Sequence, residues 1–228
     1  MRFAGLIKSS LVDYPGLVSC VLFMPFCNIN CFYCHNRPLV EGTLPLLDER
    51  ELTAFLKKRA GLLDGVVLTG GEPTLHEGLE EYIEWLKALG YKVKLDTNGT
   101  DPQTIRRFLS HRLCDYYAVD YKAPAARYEE ICGVGADAHK VLETIRLLAA
   151  QDATFEVRTT VIPQLSIADL SQMARELPPL PRYVLNRYRV PEQYAAHERE
   201  RILQKPYTQG EINAFAKALQ ELQPNTIS

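Results

Sequence analysis

The sequence carries no excess of positive charge, no long apolar run and no internal repeat, and each absence removes a class of function. Lys and Arg number 26 against 28 Asp and Glu, a formal net charge of −2, with a pI of about 6.2. No global basic field gathers nucleic acid, so DNA or RNA binding is not the default. The most apolar stretch, Leu17 to Cys27, is interrupted by Ser19 and Pro25 and is too short to cross a bilayer, so it reads as a buried strand. Met1 to Ser10 lacks a basic segment followed by an apolar one, and no secretory leader is expected. No low-complexity tract and no solenoid period is present. What remains is a cytoplasmic, soluble protein without membrane contact. Its 228 residues, 46% hydrophobic and 24% charged, suit one substantial α/β domain spanning 1–228.

Six cysteines stand at 20, 27, 31, 34, 114 and 132. A chain of this size without an export signal does not read as a disulfide framework. Cys27, Cys31 and Cys34 fall within eight residues, and in a cytosolic protein such clustering favours a metal site. Cys20, Cys114 and Cys132 follow no ligand spacing and read as small buried apolar side chains.

The rest of the chain alternates strand and helix. Strands are expected at Val18–Phe23, Gly65–Thr69, Lys92–Asp96, Tyr116–Asp120, Thr154–Ile162 and Tyr183–Tyr188. Helices follow: one capped by Asp48, one carrying Leu79, Ile83 and Leu86, and one opened by Asp101-Pro102. Three more are expected at Lys140–Gln151, Ile167–Glu176 and around Ile212–Leu219. Six βα units argue a parallel sheet, either doubly wound or a partial (βα)6 barrel that cannot close as eight units do. One side of such a barrel stays open, which suits a protein loop as substrate. Tyr188 to Tyr207 reads as a polar loop whose run His197-Glu-Arg-Glu-Arg201 is solvated or partner-facing.

In parallel α/β folds the ligand lies at the carboxyl ends of the strands. After the first strand come the three cysteines. With His35 they could form a closed four-ligand zinc site. On a 4Fe–4S cluster they would leave one iron open to a substrate. After the second strand comes Thr69-Gly70-Gly71-Glu72-Pro73, whose glycines permit close approach and whose carboxylate can accept from an ammonium group. Asp96-Thr97-Asn98-Gly99 and Asp120-Tyr121-Lys122 follow the third and fourth strands. The fifth carries Arg158 among apolar neighbours, where a guanidinium needs a partner.

Cys27-x-x-x-Cys31-x-Tyr-Cys34 with Gly70-Gly71-Glu72-Pro73 resembles the radical S-adenosylmethionine superfamily. Ser10-Leu-Val-Asp13-Tyr-Pro-Gly16, Cys34-His35-Asn36, Asp96-Thr97-Asn98-Gly99 and Asp120-Tyr121-Lys122 resemble its glycyl radical enzyme activases. The short form is most similar to activators of anaerobic ribonucleoside-triphosphate reductase. The likeness runs from about Gly5 to Arg189, with 190–228 a loop and C-terminal helix.

The resemblance implies a radical SAM barrel in which Cys27, Cys31 and Cys34 hold a 4Fe–4S cluster. S-adenosylmethionine is then cleaved reductively to methionine and a 5′-deoxyadenosyl radical, which takes hydrogen from a glycine of the partner. A flavodoxin- or ferredoxin-type protein is the implied electron donor, and no acid–base residue is required. Tyr33 resembles the residue beside the adenine, and Gly70, Gly71, Glu72 and Pro73 resemble the contact to the methionyl amine. Asp96, Thr97 and Asn98 resemble the segment near the carboxylate and ribose, and Lys122 and Arg158 the basic residues paired with the carboxylate. Asp96, Thr97 and Asp120 also resemble the monovalent-cation site of related activases. Two departures stand out. Phe26 occupies a position where the family often has Gly, and Leu185-Asn186-Arg187-Tyr188 lacks the His of some relatives. Three alternatives remain at this point: an activase of another glycyl radical enzyme, a small-molecule enzyme such as a deazapurine synthase, and a zinc-stapled module without catalysis.

Overall fold

Strands rich in Val and Leu on both faces need cover on both faces, and amphipathic helices supply it. The computed structural model, which describes residues 1–228, has that organisation. In chain order the elements are β1 (Gly5–Ser10), β2 (Ser19–Met24), α1 (Arg37–Val40), α2 (Glu49–Arg59), β3 (Gly65–Gly70), α3 (Leu79–Ala88), β4 (Lys92–Thr97), α4 (Pro102–Ser110) and β5 (Tyr116–Asp120). There follow α5 (Tyr128–Cys132), α6 (Ala138–Ala150), β6 (Phe155–Val161), α7 (Ile167–Glu176), β7 (Tyr183–Arg187), α8 (Arg199–Ile202), α9 (Gln209–Leu219) and β8 (Thr226–Ile227). The six expected strands are β2 to β7, none displaced by more than one residue at either end.

Two compact units share the chain. Met1–Asn28, Pro38–Thr97 and Gln103–Tyr117 make the first; Ile29–Arg37, Asn98–Pro102 and Ala118–Ser228 make the second. The chain passes from one to the other repeatedly, and β5 runs from the first into the second. No composition shift in the sequence marks such a division.

In the first unit the strand order is β1-β2-β3-β4-β5, with β1 antiparallel to β2 and β2, β3 and β4 parallel. Val21 pairs with Val67, and Val67 with Lys94, so these three side chains form one row on one face. Tyr14, Val21, Val67 and Tyr116 pack as a buried cluster on that face. Helix α2 begins where Asp48 accepts from the Arg50 and Glu51 amides.

In the second unit the order is β5-β6-β7-β8, with β6, β7 and β8 parallel. Helices α7 and α9 each open on a capping box, Ser166 with Asp169 and Thr208 with Glu211. The buried Gln223 amide accepts from the Leu180 amide at 3.1 Å and donates to the carbonyls of Ala174 and Pro178 at 3.0 and 3.1 Å. It thereby ties the chain's C-terminal turn to the connection between α7 and β7.

Two strands were not legible. β1 has three exposed residues of six and no alternation, and β8 has only two residues. Nor does Tyr188 to Tyr207 form a featureless solvated loop. It contains α8, Ile202 is fully buried, and the Tyr188 hydroxyl donates to the Ile202 carbonyl at 3.1 Å. The Arg201 guanidinium stacks over the Phe32 ring at 3.9 Å and donates to the Glu130 carbonyl. His197 and Glu200 are exposed, as expected of the charged run.

Candidate active site

The end of β2 and the end of β3 are joined by backbone. The Gly71 amide donates to the Met24 carbonyl and the Glu72 amide to the Phe26 carbonyl, both at 2.8 Å. This approach requires glycine: a Cβ at position 71 would lie 1.8 Å from the Phe26 oxygen, and one at Gly70 2.4 Å from the Met24 nitrogen. The two glycines therefore receive their own chain rather than only a ligand. Phe26 sits at φ 67°, a left-handed conformation that costs a non-glycine residue roughly 1–2 kcal/mol. The Phe26 ring is held against Gly42, where a Cβ would stand 2.2 Å from it, and under the Arg2 guanidinium at 5.7 Å. Cys27 follows directly, partly buried.

Glu72 is fully buried. Its Oε1 accepts from the Thr74 amide at 3.1 Å, the Thr74 hydroxyl at 2.7 Å and the Thr97 hydroxyl at 2.8 Å. The carboxylate thus caps the short turn Pro73–Leu75 and ties β3 to β4. Its partners include three donors of the chain itself, where the sequence suggested a ligand amine. Asp96 accepts from the Lys94 ammonium at 2.7 Å. Lys94 lies among the apolar residues of β4, where sequence pattern alone gives it no role.

The second unit carries the other half of the motifs. Cys31, Phe32 and Tyr33 are buried, and the Cys34 amide donates to the Cys31 carbonyl at 3.1 Å. Arg37 fastens this turn, donating to the Cys31 carbonyl at 2.9 Å and to the Asn30 side chain. The Asn30 amide donates to the Cys132 carbonyl at 2.9 Å, which brings Cys132 beside Cys31. The neighbouring Cys132 thiol, hydrogen-bonded to Cys31, holds the Cys31 pKa below that of a free thiol against the effect of burial. Burial pushes Cys34 up. Cys132 was expected to be inert core; it is fully buried, but it touches the motif.

Tyr33 meets Tyr188 edge-on, with ring centroids 6.3 Å apart. Its hydroxyl is buried without a hydrogen-bond partner, and burial raises its pKa well above the usual range. The ring of His35 lies 6.1 Å from Tyr188, and burial lowers its pKa. Asn98 closes its own turn, accepting from the Thr100 amide and hydroxyl at 3.0 and 2.7 Å. In β7, Asn186 and Arg187 are exposed, and Arg187 donates to the Tyr207 carbonyl.

Asp120 accepts from Lys122 at 2.9 Å and from Arg158 at 3.0 Å. The guanidinium in β6 thus has its partner. Burial alone would raise Asp120, but Lys122 and then Arg158 outweigh it and hold the carboxyl well below the usual range. A depressed carboxylate stabilises the fold above its unfolded pKa of about 4 and loses that contribution as pH falls. We therefore expect thermal midpoints of the wild type to fall more steeply between pH 5 and 3 than those of Asp120→Asn. Asp120→Asn should start lower at pH 7, by roughly 1–3 kcal/mol for the charged hydrogen bonds lost. Parallel pH profiles would refute the assignment.

Cys27, Cys31 and Cys34 are all free thiols, the chemistry that an iron–sulfur cluster with one iron left open would require. Nowhere do three or more His, Cys, Asp or Glu side chains gather as for a single metal ion. No helix is long and apolar enough to cross a membrane.

The sequence model of the Radical SAM superfamily matches residues 21–177. The chain is 29% identical over 223 residues, 94% of its length and 91% of the relative's, to "Putative glycyl-radical enzyme activating enzyme MJ1227" of Methanocaldococcus jannaschii. It is 34% identical over 124 residues to 7-carboxy-7-deazaguanine synthase of Neisseria meningitidis serogroup B. That match covers 54% of this chain and 53% of the relative. Among solved structures it is similar to Streptococcus suis SuiB bound to S-adenosylmethionine, with a TM-score of 0.66 at 12% identity, over 88% of this chain and 48% of that one. At that identity the likeness shows the fold alone, and it agrees with the α/β, partial-barrel fold that the βα pattern suggested.

Proposed function

The chain belongs to the radical S-adenosylmethionine superfamily of enzymes, and from that premise we propose that it generates a glycyl radical on a partner enzyme, the anaerobic ribonucleoside-triphosphate reductase. The observation that carries this reading is the likeness to an activating enzyme along nearly the whole of both chains. The likeness to deazaguanine synthases reaches only about half of each chain.

In this reading Cys27, Cys31 and Cys34 hold a 4Fe–4S cluster. When bound, that cluster supplies the electron that cleaves the sulfonium of S-adenosylmethionine. The chain's own residues bind and orient. Arg37 and the Cys34–Cys31 turn set the loop, and the Cys132 thiol lies against the ligand Cys31. Gly70, Gly71, Glu72 and Pro73 receive the methionyl amine, with Glu72 fixed in place by Thr74 and Thr97. Tyr33 lies beside the adenine. Asp96, Thr97 and Asn98 face the methionyl carboxylate and ribose, and Lys122 and Arg158 pair with the carboxylate. A reduced flavodoxin- or ferredoxin-type protein is the electron donor.

The test is anaerobic reconstitution with iron and sulfide, followed by S-adenosylmethionine, dithionite and the reductase. We expect 5′-deoxyadenosine, methionine and a glycyl radical doublet by electron paramagnetic resonance. A doublet on a different glycyl radical enzyme and none on the reductase would move the partner. Turnover with a small molecule and no doublet on any enzyme would overturn the activase reading.

A further inference from the structure

Lys94 is an unusual residue for its place. It stands in β4 between Val93 and Leu95, in the row that also holds Val21 and Val67, and it is 1% exposed. A buried ammonium needs a counter-charge and a polarisable neighbour. It has both: the Asp96 carboxylate at 2.7 Å and the Tyr116 ring at 5.8 Å, itself packed on Tyr14. Strand pleating puts positions 94 and 96 on the same face, so the pair follows from register alone. The Thr97 hydroxyl is committed to Glu72 at 2.8 Å.

Asp96, Thr97 and Asp120 are the positions that resemble a monovalent-cation site. A carboxylate with an alkali cation is neutral, and so is a carboxylate with a lysine. An ammonium group is close to a potassium ion in size and charge, and its three N–H groups seek the same oxygens. Asp120, considered separately, already accepts from two cations, Lys122 at 2.9 Å and Arg158 at 3.0 Å. An alkali ion added at either carboxylate would meet a protein cation at contact distance and be repelled.

We propose that Lys94 supplies from within the chain the positive charge that a bound monovalent cation would otherwise bring to Asp96, so that S-adenosylmethionine binding here is independent of Na⁺ and K⁺. The inference rests on the proposed function, since it takes Asp96 to face the bound S-adenosylmethionine. It makes Lys94 a positioning residue, acting through Asp96.

The experiment uses the reconstituted holoprotein in KCl, NaCl and choline chloride at equal ionic strength, with S-adenosylmethionine affinity read by calorimetry and by the electron paramagnetic resonance change of the reduced cluster. The wild type should bind with Kd values agreeing within about twofold in all three salts. In Lys94→Met, which keeps length and removes charge, affinity should fall at least about tenfold in choline and recover saturably on adding K⁺ or Na⁺. The thermal midpoint of Lys94→Met, and not of the wild type, should rise with K⁺, because an ion bound only by the native state stabilises it. A tenfold loss of wild-type affinity in choline would overturn the proposal without any variant. So would a folded Lys94→Met whose affinity and melting ignore alkali ions. Absence of S-adenosylmethionine binding by the wild type in every salt would instead strike at the proposed function.

Discussion

Cys27→Ala, Cys31→Ala and Cys34→Ala should each reduce bound iron and sulfide to background and end S-adenosylmethionine cleavage. Cys20→Ala, Cys114→Ala and Cys132→Ala should retain both. The six thiols differ in their surroundings. Burial pushes Cys20 and Cys114 up to about 12 and raises Cys34 as well, so it is the spacing of the motif, not burial, that sets Cys20 and Cys114 apart. Cys31, buried against Cys132, is instead held below the range of a free thiol. Replacing a small core thiol costs on the order of 1 kcal/mol, which for a chain of this size is a fall of about 2–4 °C in Tm. Cys132 is the sharpest control. It touches Cys31 yet lies outside the motif spacing, and its loss should alter the cluster's spectrum more than its occupancy. Iron and sulfide analysis of the six variants decides the matter. A Cys132→Ala protein without iron beside a Cys34→Ala protein that keeps it would reassign the ligands.

The sheet could be read because its strands are buried on both faces and advertise themselves as short Val- and Leu-rich runs between turn residues. Helices α3, α6, α7 and α9 could be read because each is long enough to show its apolar stripe. Four- and five-residue helices such as α1, α5 and α8 have no period to show. The candidate site was legible where chemistry is concentrated in one short segment, as in Cys27 to Cys34. It was not legible where a residue matters through a distant neighbour. Lys94 looks like an error in an apolar strand until Asp96 is seen beside it. Cys132 lies about a hundred residues from Cys31 and meets it only because the Asn30 amide reaches the Cys132 carbonyl. Arg201 belongs to a run that composition marks as solvated, and only the fold lays it over Phe32. Glu72 shows the opposite limit. The motif identified the residue, but the three donors on its Oε1, one of them from β4, could not be inferred from a strand end.

Gly71→Ala should be among the most damaging single substitutions in the protein, although it removes no ligand and no charge. The added Cβ would lie 1.8 Å from the Phe26 oxygen and 2.5 Å from its carbonyl carbon, and both atoms are backbone, so no side chain can rotate away. The ends of β2 and β3 must separate. Separation breaks the Gly71 amide's bond to the Met24 carbonyl and the Glu72 amide's bond to the Phe26 carbonyl, each 2.8 Å. Overpacking costs about 1–3 kcal/mol and each buried backbone group left without a partner about 1–3 more, so the sum is about 3 kcal/mol or above. For a chain of this length that is a fall in Tm of roughly 6–12 °C. The displaced carbonyl belongs to Phe26, already left-handed at φ 67°, and the next residue is Cys27. Iron content after reconstitution should therefore fall in step with stability, which Cys20→Ala would not produce. Gly210→Ala is the matched control. It lies in α9 with nothing nearer than the Thr208 hydroxyl at 4.0 Å, and alanine there should be neutral or stabilising by up to about 1 kcal/mol. Should Gly71→Ala melt within about 2 °C of the wild type and load a full complement of iron, the close approach of these two strand ends does not hold the first cysteine in place.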